Sequence, residues 1–260
     1  MIKRIGMTVI AVLACALAAQ SQTQIPYGSS ICVKVKDGKA AEYAAFLRDV
    51  QGPLFRAQVT TGEIVAFTIG QAVIPMGTSA RCDYAFALGA SSFPGETNRG
   101  SDAALKLSGV KLTREAIGAR QNELRVIVGK EIWHRQDAIG SVKIGDYVRT
   151  RYNKIKPGMM TDWVNLESAG WKGIVAAALK TTPGLAWRIR TLSMPGGSSL
   201  PYNAATIDVF PSWAALGTGI PGRALWKQVH PEQDYTAYFD KVNAMTDVTM
   251  IEVMKVIDAN

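Results

Sequence analysis

The sequence predicts an α+β fold made from two tandem copies of one strand-helix-strand-strand-helix-strand unit. Three observations carry this. Residues 29–43 (SSICVKVKDGKAAEY) and 149–163 (RTRYNKIKPGMMTDW) align without a gap, Gly38 against Gly158, an offset of 120 residues. That offset also pairs Lys34 with Lys154, Lys36 with Lys156, Glu42 with Asp162 and Tyr43 with Trp163. It persists downstream, pairing Phe67 with Trp187, Ile69 with Ile189, Pro75 with Pro195, Gly77 with Gly197, Ser79 with Ser199 and Phe93 with Trp213. One offset held across two turns and three strands is the mark of an internal duplication.

Local patterns justify each element. Ile31 to Lys36 alternates apolar with polar, a half-buried strand that stops at Asp37-Gly38. Lys39 to Val50 carries Ala41, Tyr43, Ala44, Phe46 and Leu47 on helical spacing, and Gly52-Pro53 is expected to close that helix. Ile64 to Ile69 and Cys82 to Leu88 read as the second and third strands, joined by a turn at Pro75 to Ser79. A short helix is expected around Ala103 to Leu107, and a longer one from Thr113 to Leu124, where Glu115 sits at the positive end of the dipole. Arg125 to Trp133 is the fourth strand, and Gln136 to Gly145 joins the halves. The second half repeats the order: strand Val148 to Lys156, helix Met159 to Ala169 with an extension through Ala178, strand Leu185 to Thr191, loop Met194 to Leu200, strand Tyr202 to Phe210, helix Gln233 to Met245 behind Pro231, and strand Val248 to Ile257.

Ahead of the repeats lies a leader. Lys3 and Arg4 precede an apolar run, Met7 to Leu17, and Ala16-Leu17-Ala18 offers a small-x-small cleavage site. Residues 1–18 read as a secretory signal peptide cleaved after Ala18, too short to span a bilayer. Acylation at Cys15 is the less favoured alternative, because the bulky Leu13 spoils the lipoprotein pattern. Residues 19–28 form a polar linker, 29–140 the first repeat and 141–260 the second. The protein is therefore expected to be secreted or periplasmic, with no integral membrane segment after leader removal.

Losing Lys3 and Arg4 lowers the formal net charge from +8 to +6. The remaining basic residues are scattered rather than run together, so no nucleic-acid partner is expected and solubility explains the charge. Cys32 and Cys82 remain in the first repeat, with Tyr152 and Tyr202 at the matched positions of the second. Export permits a disulfide between them, but they fall toward mismatched ends of neighbouring strands, and bonding is left open. With two histidines and no thiolate cluster, no zinc or other metal site is expected.

The order of elements is that of the ferredoxin-like unit, an open sheet with helices on one face. The bare face needs a cover, and a second copy provides it. The pattern Lys34-Val35-Lys36-x-Gly38, repeated as Lys154-Ile155-Lys156-x-Gly158 ahead of an aromatic-bearing helix, resembles the dimeric α/β-barrel superfamily. Its members include small monooxygenase-like, EthD-like and stress-responsive barrel proteins. The resemblance spans roughly residues 29–260 and implies an intramolecular dimeric-type α/β barrel, a fused pseudo-dimer whose two sheets enclose a ligand-sized cavity.

Strand parity then nominates residues. On the first strands Cys32, Lys34, Lys36, Tyr152, Lys154 and Lys156 point inward; on the third, Cys82, Tyr84, Phe86, Tyr202, Thr206 and Asp208 do so. Arg188 and Arg190 share one face, either the cavity or a solvated margin. Lys34 and Lys154, with Arg188 and Arg190, are candidate anion ligands, against a reading in which strand-end lysines reach solvent. Tyr84, Tyr152 and Tyr202 are candidate hydrogen-bonding walls for an aromatic or carbonyl ligand, or ordinary packing. Glu131 and Glu252, matched with a one-residue slip, are candidate partners for buried cations or catalytic bases. His134 is a candidate general base or a surface residue. Trp163, Trp187 and Trp213 match aromatics in the other half and read as core. Some related barrels bind haem through a helix histidine; His230 is nearest to that role, but nothing beside it forms a haem signature, so no cofactor is expected. The Gly217-x-Gly219-x-x-Gly222 run follows no strand and reads as a loop rather than a dinucleotide cradle.

Three functional classes follow. The leading one is an exported protein binding a small anionic or aromatic molecule. The others are a cofactor-free monooxygenase- or isomerase-like enzyme of the same fold, and a structural or interaction protein, with homo-oligomers of pseudo-dimers forming through a sheet edge.

Overall fold

The eight strands described hydrogen-bond into a closed antiparallel barrel in the computed structural model, which describes residues 25–75, 80–95 and 100–260. The expected leader with Cys15, the start of the linker, and the matched pair members Gly77 and Ser79 lie outside the described residues. In chain order the elements are β1 (Tyr27–Val35), α1 (Ala40–Phe46), α2 (Gly52–Thr60), β2 (Ala66–Ile74), β3 (Tyr84–Ala90), α3 (Asp102–Ser108), α4 (Arg114–Leu124) and β4 (Arg125–Ile139). They continue as β5 (Tyr147–Ile155), α5 (Met160–Ala178), β6 (Ala186–Met194), β7 (Ala204–Phe210), α6 (Trp213–Thr218), α7 (Gly222–Val229), α8 (Tyr235–Met245) and β8 (Thr246–Ala259).

The offset read from the sequence is built into these bounds. Tyr27, Ala66 and Tyr84 open strands whose counterparts open 120 residues later at Tyr147, Ala186 and Ala204. From α4 onward the offset is 121, so that Arg125 answers to Thr246. Each half has the strand order of a ferredoxin-like sheet, β2-β3-β1-β4 and β6-β7-β5-β8.

Closure is the work of the two fourth strands. β4 runs on past the predicted end at Trp133; its first part pairs with β1, and Ile132 to Ile139 pair with β6 of the other half. β8 does the same in reverse, pairing with β5 and then, from Val253 to Ala259, with β2. The stretch expected to be a linker therefore begins as ladder. Extending both strands removes the open edges that two separate sheets would leave.

The first helix does not stop at Gly52-Pro53. A π-helical turn, Leu47–Gln51, carries it into α2, where Pro53 sits in the first turn and its missing N–H costs no bond. Gly52 is needed there because Asp258, paired with Arg56 at 2.7 Å, lies against the position a Cβ would take. The Gly217 to Gly222 run is a helix-to-helix junction: Gly219 caps α6 with φ +70° and Gly222 begins α7.

Helices cover the outside of the barrel. In the first half Val33, Phe67, Ile69, Tyr84, Phe86 and Leu88 pack against Tyr43, Phe46, Phe55 and Ile117. In the second, Ile155, Trp187, Ile189 and Phe210 pack against Trp163, Ile174, Trp226 and Tyr238. Trp213, expected in the core, and its matched residue Phe93 are about half exposed; each leans edge-on against a barrel-end tyrosine, Tyr147 and Tyr27 respectively.

One outer layer is asymmetric. Beneath α5 the buried Glu167 and Asp208 lie with Tyr238, and Asp208 Oδ2 accepts from Arg149 and Arg151 at 2.9 and 2.7 Å. The matched positions in the first half are Leu47, Leu88 and Ile117, all apolar core. Burial first, and Asp208 second, push the Glu167 carboxyl up to about 7.

Candidate functional site

The barrel interior is built from the alternate residues of each strand that the helices do not use. At one end it is filled by a polar cluster centred on Arg81, which lies just before β3. Its guanidinium donates through Nη1 to Glu131 Oε1 at 3.1 Å and Tyr202 Oη at 3.2 Å, and through Nη2 to Tyr152 Oη at 2.5 Å. Nε and Nη2 also reach the two oxygens of Glu252, both at 3.4 Å. The Tyr202 hydroxyl donates to Glu131 Oε1, and Trp133 Nε1–H donates to Glu131 Oε2 at 3.0 Å. Trp133, Tyr152 and Tyr202 are all nearly buried and pack together, the Trp133 and Tyr202 rings close to parallel.

Electrostatics follow from that packing. Burial pushes the Tyr152 and Tyr202 phenols well above their ordinary range, with Glu131 adding to the effect on Tyr202 through its hydrogen bond. Burial also opposes the Arg81 charge, but Tyr152, Glu252 and Glu131 around it outweigh that and hold the guanidinium above its usual value.

The disulfide explains why this cluster is one-sided. Cys32 and Cys82 are bonded, with Cα atoms 5.2 Å apart. They occupy the positions that Tyr152 and Tyr202 hold in the other half. Two small bonded sulfurs in place of two phenol rings leave room, and Arg81 occupies it.

Beyond the cluster the interior opens into an inner chamber of about 110 Å³ lined by Ser30, Thr68, Trp133, Thr150, Tyr152, Arg188, Arg190, Glu252 and small apolar residues. A wider chamber of about 380 Å³, lined by Tyr27, Arg135, Ser141 and Asn260, shares Thr68, Trp133, Arg188 and Arg190 with it. The latter volume falls in the range of small-molecule pockets. Arg188 and Arg190 therefore stand at the waist between the two spaces, with Arg135 directly across the ladder from Arg190. Among the described residues none of these three guanidiniums makes a salt bridge. Burial, then repulsion by Arg135, brings Arg188 down to about 10. Burial, then repulsion by Arg188 and Arg135, brings Arg190 down to about 9. All three remain cationic at neutral pH.

The sequence-nominated residues divide. Tyr152, Tyr202, Glu131, Glu252, Arg188 and Arg190 come together inside the barrel. Four others do not. Tyr84 lies on the helix side, edge-on to Tyr43. With it go Phe86, which packs mainly outward, and Thr206 and Asp208, because parity on β3 and β7 is shifted by one. The cause is a break before each strand: Asp83 and Asn203 turn their side chains onto the ladder, accepting from Val35 N and Ile155 N, both at 2.8 Å. Cys82 and Tyr202 point in before the break, and the even-numbered residues after it point out. Lys34 ion-pairs with Asp83 at 3.1 Å, and Lys154 donates to the carbonyls of Ser198 and Leu200; both are rim residues that line neither chamber. His134 faces outward, stacked on Tyr27 and bonded to Gln136 at 3.0 Å. His230 packs on Trp226 outside the barrel, 2.9 Å from the Gly170 carbonyl. Arg81, Trp133 and Arg135 were not nominated. Trp133 and Arg135 were reachable by extending the Glu131 parity along β4; Arg81 lies outside any strand and gave no signal.

No protein-family profile matches the sequence, and no curated protein matches it. Solved structures do. A candidate monooxygenase from Lactobacillus acidophilus superposes with a TM-score of 0.52 over 90% of this chain and 95% of its own, at 10% identity. One from Fusobacterium nucleatum superposes with a TM-score of 0.54 over 90% and 94%, at 9% identity. The chain has the dimeric α/β-barrel fold. In this dimeric α/β barrel both halves belong to one polypeptide, and at such identities the likeness is one of fold.

Proposed function

We propose that this chain is an exported binding protein that holds a small anionic molecule, with an aromatic or carbonyl-bearing body, inside its barrel. The observation that carries this is the wall of Arg135, Arg188 and Arg190, three guanidiniums at the waist of an interior cavity without a salt bridge among the described residues. Unpaired half-buried cations carry a desolvation cost, and a bound anion offsets it. Trp133 and Tyr152 line the inner chamber beside Arg188 and Arg190. The Cys32–Cys82 bond suits an oxidising compartment and supports export. Among the described residues no helix is long and apolar enough to cross a membrane.

Native mass spectrometry of gently purified protein is the test. A retained acidic compound is expected, and Arg188→Gln with Arg190→Gln should weaken its binding by roughly 100-fold or more, since each of the two charged hydrogen bonds lost is worth about 1.5–3 kcal/mol. Equal retention by the double variant would overturn the assignment.

A cofactor-free oxygenase or isomerase is the second reading, favoured by Glu252 lining the inner chamber. Against it, Arg81 holds both Glu252 oxygens, which among the described residues leaves the inner chamber no free carboxylate base. Oxygen uptake or substrate turnover lost in Glu252→Gln, with folding intact, would favour the enzyme.

A further inference from the structure

We propose that the ligand's body is no larger than one ring and sits against the inner wall of the first half, with Ala87 at the centre of its seat. This rests on the interior-site reading above and adds which wall takes the body and how large that body is.

Duplication makes the two inner walls comparable position by position, and they are unequal. In the first half the ladder register sets Ser30, Ala87 and Thr68 side by side across β1, β3 and β2. The matched row of the second half is Thr150, Ile207 and Arg188 across β5, β7 and β6. Two residues along, Cys32, Ala85 and Gly70 answer to Tyr152, Ala205 and Arg190. At every place but Ala85 the first half carries the smaller side chain. In the ring of eight strands β3 stands opposite β7 and β2 opposite β6, so the free space lies over the first-half wall. Part of that wall is already covered: a Cβ at Gly70 would come within 3.1 Å of Met254, and the Cys32 sulfur is bonded to Cys82. Ser30, Ala87 and Thr68, with Ala85 beside them, are the part left open to the inner chamber.

The groups that bind an anion stand on the other side. Arg188 and Arg190 line the chamber from β6, and the Nε atoms of Arg135 and Arg188 are buried with no hydrogen-bond partner among the described residues. A ligand with its acidic end at that waist places the rest of itself over Ala87, where methyl groups are flanked by the hydroxyls of Ser30 and Thr68. The inner chamber, at about 110 Å³, is no larger than the roughly 150 Å³ apolar cavity that accepts benzene, which sets the limit at one ring.

NMR titration of the full chain with acetate, benzoate and 2-naphthoate, followed at the tryptophan indole N–H signals, tests this. Benzoate should bind about tenfold or more tighter than acetate, which lacks a body, and about tenfold tighter than 2-naphthoate, whose second ring exceeds the chamber. Ala87→Leu fills the seat and should weaken benzoate about 30-fold or more while changing acetate by about threefold or less. Should circular dichroism show that Ala87→Leu does not fold, Ala85→Val is a smaller intrusion beside it, expected to weaken benzoate about tenfold with the same small effect on acetate. Benzoate binding unchanged in the folded variant, or 2-naphthoate binding as tightly as benzoate, would overturn the seat and its size limit while leaving the anion site standing. Equal loss of acetate and benzoate in Ala87→Leu would overturn the division of labour between the two walls. Failure of all three acids to bind the unaltered chain would overturn the interior-site reading as well.

Discussion

Arg81→Ala is expected to destabilise the protein by roughly 3–5 kcal/mol, the range for stripping one partner from a buried ion pair. The variant leaves Glu131 and Glu252, 8% and 4% exposed, without the cation between them. It also strips the hydrogen bonds that Arg81 gives to the Tyr152 and Tyr202 hydroxyls. Urea unfolding should show an earlier midpoint. Most of the loss should return in Arg81→Ala with Glu131→Gln and Glu252→Gln, since neutral amides end the repulsion and can bond to the phenols. Arg81→Lys should recover only part, because one ammonium cannot serve four groups in different directions. A midpoint within experimental error of wild type for Arg81→Ala would mean that the cluster contributes nothing to closing this end of the barrel.

Glu167→Gln is expected to stabilise the protein above neutral pH and to change little in acid. The sign follows from proton counts. In the unfolded chain a glutamate titrates near 4.5, whereas folded Glu167, buried and beside Asp208, titrates at about 7. Between those values the folded protein keeps a proton that the unfolded chain has released, so stability falls as pH rises and stays reduced above the folded value. A shift of this size corresponds to about 3 kcal/mol as an upper limit. Glutamine cannot ionise, so the variant should gain roughly 2 kcal/mol over wild type at about pH 8 and almost nothing at about pH 4. Thermal unfolding at the two pH values checks it. Equal destabilisation at both would show that Glu167 is held ionised, paired to Arg151.

The fold was legible because duplication leaves the same local signals twice. Gly38 and Gly158 both end a first strand with φ near +72° and +80°, a conformation that favours glycine, and so the sequence offset survives where side chains have diverged. Tyr152 and Tyr202 were legible as interior residues because alternation holds along β5 up to Tyr152 and because Tyr202 precedes the break in β7; Arg188 and Arg190 were legible only as sharing one face, and the structure turns that face inward. Tyr84 was misplaced by side-chain bonds from Asp83 that no local pattern announces. Lys34 and Lys154 were left open between the cavity and the rim for a related reason: the partners that hold them at the rim lie 44 to 49 residues away in sequence. The helix through Gly52-Pro53 was hidden because a π-helical turn absorbs a proline that would otherwise end it. Arg81, the hub of the interior, stands beside a cysteine in a loop, and only the three-dimensional gap left by the disulfide gives it a role.

Diffraction from a crystal soaked in bromide, with anomalous scattering to locate the ion, tests most directly whether the enclosed arginine wall takes anions. A bromide peak between Arg135, Arg188 and Arg190, absent in crystals of Arg188→Gln with Arg190→Gln, is the expected result. Bromide found only on the outer surface, with the waist of the barrel filled by protein side chains, would contradict it.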